Sequence, residues 1–349
     1  MLKESTTKRN NEIEIFRFLF ICAISLMHFS NSYFKATPYF SNAYIGTEFF
    51  FLISGFMIMK SADSHQMSAF TFTGQRVKKL YPHYLFAFLL LFLLSAFTSN
   101  TGILPQLRSL FTYAFELLFL QASGLKCFGL LNYPAWYVSA LLIAGFFIYA
   151  LIRLHKKLYL TIIAPLAVIA TYSFFSANIG SLDLWGGNQF LNLSDALTRG
   201  FAAMSLGTLS YELSKYICEK HYTLKKLLRI LLSLAELTCF IGILTGCVLL
   251  KDSTYDFHML LIMFFAITLA FSGLTYTSCL FSCPIFSYLG KISYPMYVYQ
   301  LFIICLFCLY LPELSYSTGI LAFLVALIVF SSMIDIVYKY LMKKLVKRS

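Results

Sequence analysis

The sequence predicts an all-α membrane protein, a polytopic bundle of about ten transmembrane helices with both termini in the cytoplasm. The chain has 349 residues, of which 59% are hydrophobic and 12% charged, whereas soluble domains average roughly 45–50% apolar and about 25% charged residues. Apolar runs of about 20 residues recur along the chain, and each is long enough to cross a hydrocarbon core. The runs lack the alternating pattern of barrel strands, so helices must satisfy the backbone polar groups in lipid.

The runs that are candidates for spans lie near 14–34, 43–60, 81–98, 107–121, 135–152, 158–175, 196–217, 227–249, 257–278, 292–311 and 317–341. The first run has no convincing cleavage site after it, so we expect a retained span rather than a signal peptide. The fourth run is short and carries Arg108 and Glu116. Loop charges indicate whether this run crosses the membrane.

Loop charges favour ten crossings. If every run crossed, with Lys3, Lys8 and Arg9 inside, the basic stretches "RLHKK", "SKYICEKHYTLKKLLR" and "KYLMKKLVKR" would lie outside. If the fourth run lies in the interface or re-enters, these stretches become cytoplasmic, as the positive-inside rule requires. We therefore expect ten spans in a single membrane domain over residues 1–349, with the lipid bilayer as its environment.

The charge and cysteine content point away from other classes. The net charge of +12 comes mainly from basic residues in short loops, so we expect no nucleic-acid partner. The nine cysteines lie mostly within apolar runs, where they act as small core-filling residues. We expect no bound metal, no bound cofactor and no disulfide framework.

Ionisable residues in the first two spans predict a catalytic pair. In "RFLFICAISLMH", His28 lies eleven residues after Arg17, so the two share one helix face with Ile21 and Ile24. The next span opens with "GTEFFFLISGF" and places Glu48 near its outer end. A carboxylate beside an imidazole orients the ring, and such a pair can take a proton from a hydroxyl. Alternatively, His28 bonds a backbone carbonyl and Glu48 faces the lipid headgroups.

The loop after the second span predicts a phosphate site. The stretch "QRVKKLYPHY" brings Arg76, Lys78 and Lys79 together just before Pro82. Fixed positive charges near a helix start suit phosphate groups. Anchoring by the positive-inside rule, or contact with lipid headgroups, explains the same spacing.

Two further stretches combine polar and aromatic residues. "NYPAWYVSAL" places Trp136 and Tyr137 at the outer start of a span, and "GKISYPMYVYQLF" places Ser293, Tyr294 and Gln300 in the inner part of another. Their residues are candidates for contacts with an acceptor substrate or for a structural role. An aromatic belt explains the first stretch equally well, and hydrogen bonds between helices explain the second.

In this order, these stretches resemble the acyltransferase 3 family of integral membrane acyltransferases, over essentially the whole chain. The family's arginine and histidine, separated by ten residues in the first span, look like Arg17 and His28. Its Phe-Phe-x-Ser-Gly-Phe element, preceded by an acidic or polar residue, resembles Phe49–Phe56 after Glu48. Each element alone is weak, but the ordered set is specific.

The later family elements match with departures. The family's Arg-x-x-Arg-x-x-Pro loop resembles Arg76 to Pro82, with Lys79 in place of the second arginine. A Trp-led motif matches at Trp136 without the glutamate that often follows it, and "GKISYPMYVYQ" ends in Gln300 where a histidine is common. The chain also resembles the branch of the family that acts on exopolysaccharide.

The resemblance implies a bacterial cytoplasmic-membrane enzyme. It would transfer an acyl group, most often acetyl, from cytoplasmic acyl-CoA to a hydroxyl of an extracytoplasmic or lipid-linked sugar polymer or glycolipid. The basic loop would hold the CoA phosphates and Arg17 the donor at the inner mouth. His28, paired with Glu48, would activate the acceptor hydroxyl or carry the acyl group itself.

Two other classes stay open. An exporter or flippase of polysaccharide or lipid-linked sugar would also have about ten spans and polar interior residues, although no inverted repeats are visible in the sequence. A membrane sensor or scaffold is the third class, and the intramembrane His28 and Glu48 argue against it.

Overall fold

The computed structural model describes residues 10–35, 39–99, 105, 110–125, 129–184, 186–187, 190, 193–220 and 224–346. These residues form helices and turns and contain no β-strand, so the all-helical prediction is confirmed. Lys3, Lys8, Arg9 and Arg108, which contributed to the topology prediction, lie outside the described residues.

Long helices make up the bundle. They are α1 (Asn11–Phe29), α2 (Gly46–Ser64), α3 (Ala69–Thr98), α4 (Trp136–Leu158), α5 (Ala164–Asn178), α6 (Asp195–Glu219), α7 (Lys226–Leu249), α8 (Asp256–Phe271), α9 (Pro284–Tyr310) and α10 (Tyr316–Val346). Short helical pieces connect them: the π-helices Ser30–Phe34 and Tyr159–Ile163, the 3₁₀-helices Ala43–Ile45, Leu110–Tyr113 and Tyr133–Ala135, and the α-helices Ala114–Leu117 and Thr277–Leu280.

Among the described residues, seven helical segments are long and apolar enough to cross a membrane. One of them, Tyr133–Asn178, contains both α4 and α5, and α8 is apolar but shorter. Each run that we expect to cross contains one long helix, which satisfies its backbone hydrogen bonds internally as a bilayer requires. The protein is thus a multi-pass membrane protein, while the exact number of crossings and the side of each terminus stay predictions.

The fourth run does not form a long helix in its described part, residues 110–121. It contains the 3₁₀-helix Leu110–Tyr113 and the four-residue helix Ala114–Leu117, and the backbone then turns at Phe119 in the left-handed region, with φ 57°. A helix of four residues spans about 6 Å, far less than a hydrocarbon core. This geometry agrees with the prediction that the run does not cross.

Glycines bring the helices that surround the site into backbone contact. A side chain at Gly55 of α2 would collide with the Met204 carbonyl of α6, and one at Gly207 of α6 would collide with the Leu52 carbonyl of α2. A side chain at Gly290 of α9 would collide with α1. Small residues permit such close packing of membrane helices, and here they determine which helices neighbour α1 and α2.

The buried apolar side chains form two clusters, and α1 contributes to both. Phe16 and Phe20 of α1 belong to the cluster formed mainly by α2 and α4–α8. Ile21 and Ile24 of α1 belong to the cluster formed mainly by α3, α9 and α10. The helix that carries Arg17 and His28 therefore lies between the two halves of the core.

Candidate functional site

A cavity of about 640 Å³ lies beside α1. Its wall is formed by residues of α1, α2, α3, α4, α9 and α10 and of the turn Tyr133–Ala135. Ligand pockets usually measure about 300–1,000 Å³. The cavity is therefore large enough for a small molecule or for the arm of a larger one.

Arg17 and His28 both line this cavity, together with Ile21 and Ile24. This placement agrees with the shared helix face that their spacing predicts. Eleven residues of α-helix separate the two polar side chains by about 16 Å along the axis. The cavity therefore extends along α1 from a cation to an imidazole, although the chemical roles of both residues stay predictions.

The His28 ring is available to a ligand. It packs edge-on against Tyr133, with ring centroids 5.8 Å apart. Within the described part of the chain, its ring nitrogens form no hydrogen bond or ion pair, so the expected alternative of a bond to a backbone carbonyl is not realised. An imidazole without a protein partner can accept a proton or attack a carbonyl carbon.

The predicted pairing of His28 with Glu48 is wrong as a direct contact. The Glu48 carboxylate instead pairs with Arg199 of α6 and accepts a hydrogen bond from the Tyr172 hydroxyl of α5 at 3.0 Å. The reason is helical phase. Residues 47, 50, 54 and 57 of α2 line the cavity, and Glu48 leaves the axis on a different side, towards α5 and α6. Glu48 is also fully buried, so it does not face lipid headgroups.

Arg199 is a buried residue that sequence reasoning missed. It is 1% exposed, its Nε donates to Glu48, and its two terminal nitrogens donate to the carbonyls of Leu184 and Tyr44, each at 3.2 Å. Its guanidinium lies 5.7 Å from the ring centroid of Trp136, which lines the cavity. An isolated arginine inside the apolar run 196–217 was the available signal, because intramembrane charge is rarely without a role.

Cationic side chains line part of the cavity. Arg17, Arg76 and Lys79 contribute to the wall, whereas Lys78 lies outside the lining. Arg76 packs over the Phe72 ring at 4.6 Å and forms no ion pair within the described residues. The expectation of a basic loop before a helix start near Pro82 is wrong, because residues 76–82 lie inside α3 and Pro82 is in its interior. On this helix Arg76 and Lys79 line the cavity and Lys78 does not.

Two more lysines on the wall were not predicted as site residues. Lys291 of α9 and Lys339 of α10 both line the cavity. Their sequence context, "GK" and "VYKYLMKK", indicated cytoplasmic loop charge rather than a site. Only the packing of α9 and α10 against α1 and α3 places them at the same cavity as Arg76.

The polar-aromatic stretches contribute unequally. Trp136, Tyr137, Ser293 and Tyr294 line the cavity, but Gln300 does not. The Gln300 amide is fully buried, and neither of its polar atoms has a hydrogen-bond partner among the residues that the structure describes. Contact with an acceptor in the cavity therefore stays a prediction for the first four residues, and a structural role stays the prediction for Gln300.

Glu116 positions the turn that lies against His28. Its buried carboxylate accepts hydrogen bonds from the backbone N–H groups of Leu131 at 2.6 Å and Asn132 at 2.9 Å. The Asn132 amide donates to the Val298 carbonyl of α9 at 3.0 Å. Burial raises the pKa of the Glu116 carboxyl, and the two N–H donors offset part of that shift. These bonds fix the chain just before Tyr133.

Comparison with known proteins identifies the family. The model of the acyltransferase 3 family, described as an acyltransferase domain, matches residues 10–336. The match covers nearly the whole chain, so the protein belongs to the acyltransferase 3 family and the resemblance seen in the sequence is confirmed. No match was found among curated proteins or among solved structures.

Proposed function

We propose that this acyltransferase 3 protein moves an acyl group, most often acetyl, from cytoplasmic acyl-CoA to a hydroxyl of an extracytoplasmic or lipid-linked sugar polymer or glycolipid. One observation carries the proposal: a single cavity is lined by the cations Arg17, Arg76 and Lys79 and by His28, an imidazole without a hydrogen bond among the described residues. Arginine and lysine suit the phosphates of CoA. The imidazole suits transfer of a proton or an acyl group.

The length of acyl-CoA supports phosphate binding by the cations and reaction of the thioester at His28. The pantetheine arm has about twelve bonds in series between its phosphate oxygen and its sulfur. Four residues of an extended polypeptide have the same number of backbone bonds, so the extended arm spans about 13–14 Å. Arg17 and His28 are separated by about 16 Å along α1, and a long arginine side chain covers part of that distance. Phosphates held by the cations would therefore leave the thioester beside His28.

With His28 as a general base, one of its ring nitrogens takes the proton of the acceptor hydroxyl. The hydroxyl oxygen forms a bond to the thioester carbonyl carbon, and the carbon–sulfur bond then breaks. The thiolate receives the proton from the imidazolium, so the products are the ester and CoA with a free thiol. A positioned base of this kind contributes about 10²–10⁴-fold to a rate.

With His28 as the acyl carrier, a ring nitrogen attacks the thioester carbon and CoA leaves with the proton that the ring loses. The acyl-imidazole then reacts with the acceptor hydroxyl, whose proton returns to the ring. Both routes use the same atoms of the same residue. Trapping of an acyl group on the protein in the absence of acceptor distinguishes them.

The donor site that we propose consists of cavity residues only. It contains Arg17, Arg76 and Lys79, and it leaves out Lys78, which lies outside the lining. The outer end of α1, where His28 lies in the expected topology, would meet the acceptor. We place the protein in the cytoplasmic membrane of a bacterium, with exopolysaccharide as the first acceptor class to test.

The experiment uses the purified full chain in lipid vesicles with labelled acetyl-CoA and an oligosaccharide acceptor. We expect label in the oligosaccharide, release of CoA thiol in equal amount, and loss of both in His28→Ala. His258→Ala is the matched control, because His258 is exposed and lies outside the cavity. Movement of unmodified oligosaccharide across the vesicle membrane, without acylation, would contradict the proposal and favour an exporter.

A further inference from the structure

A histidine–aspartate pair, separate from His28, faces the cavity and has no part in the chemistry above. His83 of α3 and Asp335 of α10 both line the cavity. They are 7% and 5% exposed, respectively. The two helices bring together residues that are 252 positions apart in the sequence, which is why spacing alone did not predict the pair.

The partners of His83 determine which ring nitrogen carries the proton. Its Nδ1 lies 2.9 Å from the Tyr299 hydroxyl, and its Nε2 lies 3.9 Å from Asp335 Oδ1. A nearby carboxylate favours an N–H on the nitrogen that faces it. The Tyr299 hydroxyl therefore donates to Nδ1, and Nε2–H points towards Asp335.

The distance of 3.9 Å between Nε2 and Oδ1 is too long for a direct hydrogen bond. The other oxygen of Asp335 accepts from Lys339, and the described residues provide no other hydrogen bond to Nε2 or Oδ1. One donor and one acceptor thus stand side by side on the cavity wall. A hydroxyl complements them, because its oxygen accepts from Nε2–H while its hydrogen donates to Oδ1.

The position of His83 along α3 indicates which hydroxyl of the donor the pair would meet. His83 follows Lys79 by four residues, about 6 Å along the helix, and both line the cavity. In acyl-CoA, a single hydroxyl lies on the pantoyl segment, three bonds beyond the phosphate oxygen, or about one residue of extended chain. Phosphates at Lys79 would therefore put that hydroxyl near the level of His83.

We propose that His83 and Asp335 form a hydroxyl-binding site for the pantoyl segment of the donor arm. This inference rests on the proposed function, because it takes acyl-CoA as the ligand of the cavity. The pair selects donors that carry the pantoyl hydroxyl, whereas Arg17, Arg76 and Lys79 select phosphates. Tyr299 acts as a positioning residue through the His83 ring.

The test measures binding of CoA and of a CoA analogue that has hydrogen in place of the pantoyl hydroxyl, by calorimetry on the full chain in detergent. In the native protein, CoA should bind roughly tenfold more tightly than the analogue, as expected for one hydroxyl with two partners. In His83→Phe and Asp335→Ala that preference should disappear. Asp335→Asn, which keeps an oxygen acceptor, should retain most of it, and Lys79→Gln should weaken both ligands equally.

Each outcome separates this inference from the proposed function. An unchanged preference for the hydroxyl in folded His83→Phe and Asp335→Ala overturns the inference alone. CoA binding without acyl transfer contradicts the proposed function and leaves the binding site supported. A native protein that does not bind CoA overturns both.

Discussion

Two groups of charged side chains inside the helical bundle differ in how their hydrogen-bonding atoms are used. Arg199 and Glu48 are paired inside the core, with Tyr172 and backbone carbonyls satisfying their remaining atoms. At the cavity, Arg76 has no ion pair among the described residues. Arg17 pairs with Glu14 of the same helix at 3.5 Å, but its Nε has no hydrogen-bond partner in the described part of the chain. Both groups lie in the same bundle, but only the second faces open volume.

This difference in hydrogen bonding indicates that the first group stabilises the fold and that the second binds a ligand. A buried charge whose every donor is used stabilises one arrangement of helices, and removing one partner leaves the other uncompensated. A charged side chain on a cavity wall whose donors have no acceptor raises the free energy of a membrane protein, unless a bound ligand accepts those hydrogen bonds. We therefore expect changes in the Arg199 group to lower stability and changes at the cavity to lower activity at nearly constant stability.

The largest expected effect tests the paired group. Glu48→Ala leaves the Arg199 guanidinium buried beside an empty volume, so the free energy of unfolding should fall by about 3–5 kcal/mol. Thermal unfolding in detergent and the yield of monodisperse protein measure the loss. An inactive variant that unfolds at the native temperature would contradict the structural role of Glu48 and indicate a role in catalysis.

At the cavity, His28→Gln should lower the rate of acyl transfer by about 10²–10⁴-fold, since the amide cannot exchange a proton or carry the acyl group as the imidazole does. Its unfolding temperature should stay within a few degrees of the native value, because His28 forms no hydrogen bond with any described residue. The rate is measured by release of CoA thiol, alongside His258→Gln. Equal rates in the two variants would remove His28 from the chemistry.

Glu116, like Glu48, is a buried carboxylate with both oxygens hydrogen-bonded, and it holds the turn beside His28. Glu116→Gln keeps one oxygen acceptor but turns an amide NH₂ towards the second backbone donor, so stability should fall by about 1–3 kcal/mol. Faster hydrogen exchange at the Leu131 and Asn132 amides locates the change. Unaltered exchange at both amides would show that the turn does not depend on this carboxylate.

The smallest effect sharpens the description of the donor site. Arg76→Gln should raise the KM for acyl-CoA roughly tenfold with little change in stability, because one charge-assisted contact to phosphate is lost. Lys78→Gln, two residues away and outside the cavity lining, should leave KM unchanged. Equal increases in both variants would mean that the general positive charge of this part of α3, and not the cavity, attracts the donor.

Much of the fold followed from local sequence. Apolar length predicted helices over each expected span. Loop charge singled out residues 107–121, whose described part forms no long helix. The face shared by Arg17 and His28 was also predictable, because the rotation per residue within one helix is constant. The family assignment rested on motifs that are continuous in the sequence, and it is confirmed.

Contacts between distant helices were not predictable in this way. Glu48 pairs with a residue 151 positions away rather than with His28, because the rotation of α2 about its own axis depends on how Gly55 and Gly207 pack. Gln300 lies away from the cavity for a similar reason, although Ser293 on the same helix lines it.

The sequence by itself determined the class of protein, its helices, its family and the face of α1 that carries Arg17 and His28. Only the tertiary structure decided which charges pair with one another and which face the cavity. The physical reason is that helix formation in lipid depends on local composition, whereas the partner of a buried charge depends on close packing between helices far apart in the chain.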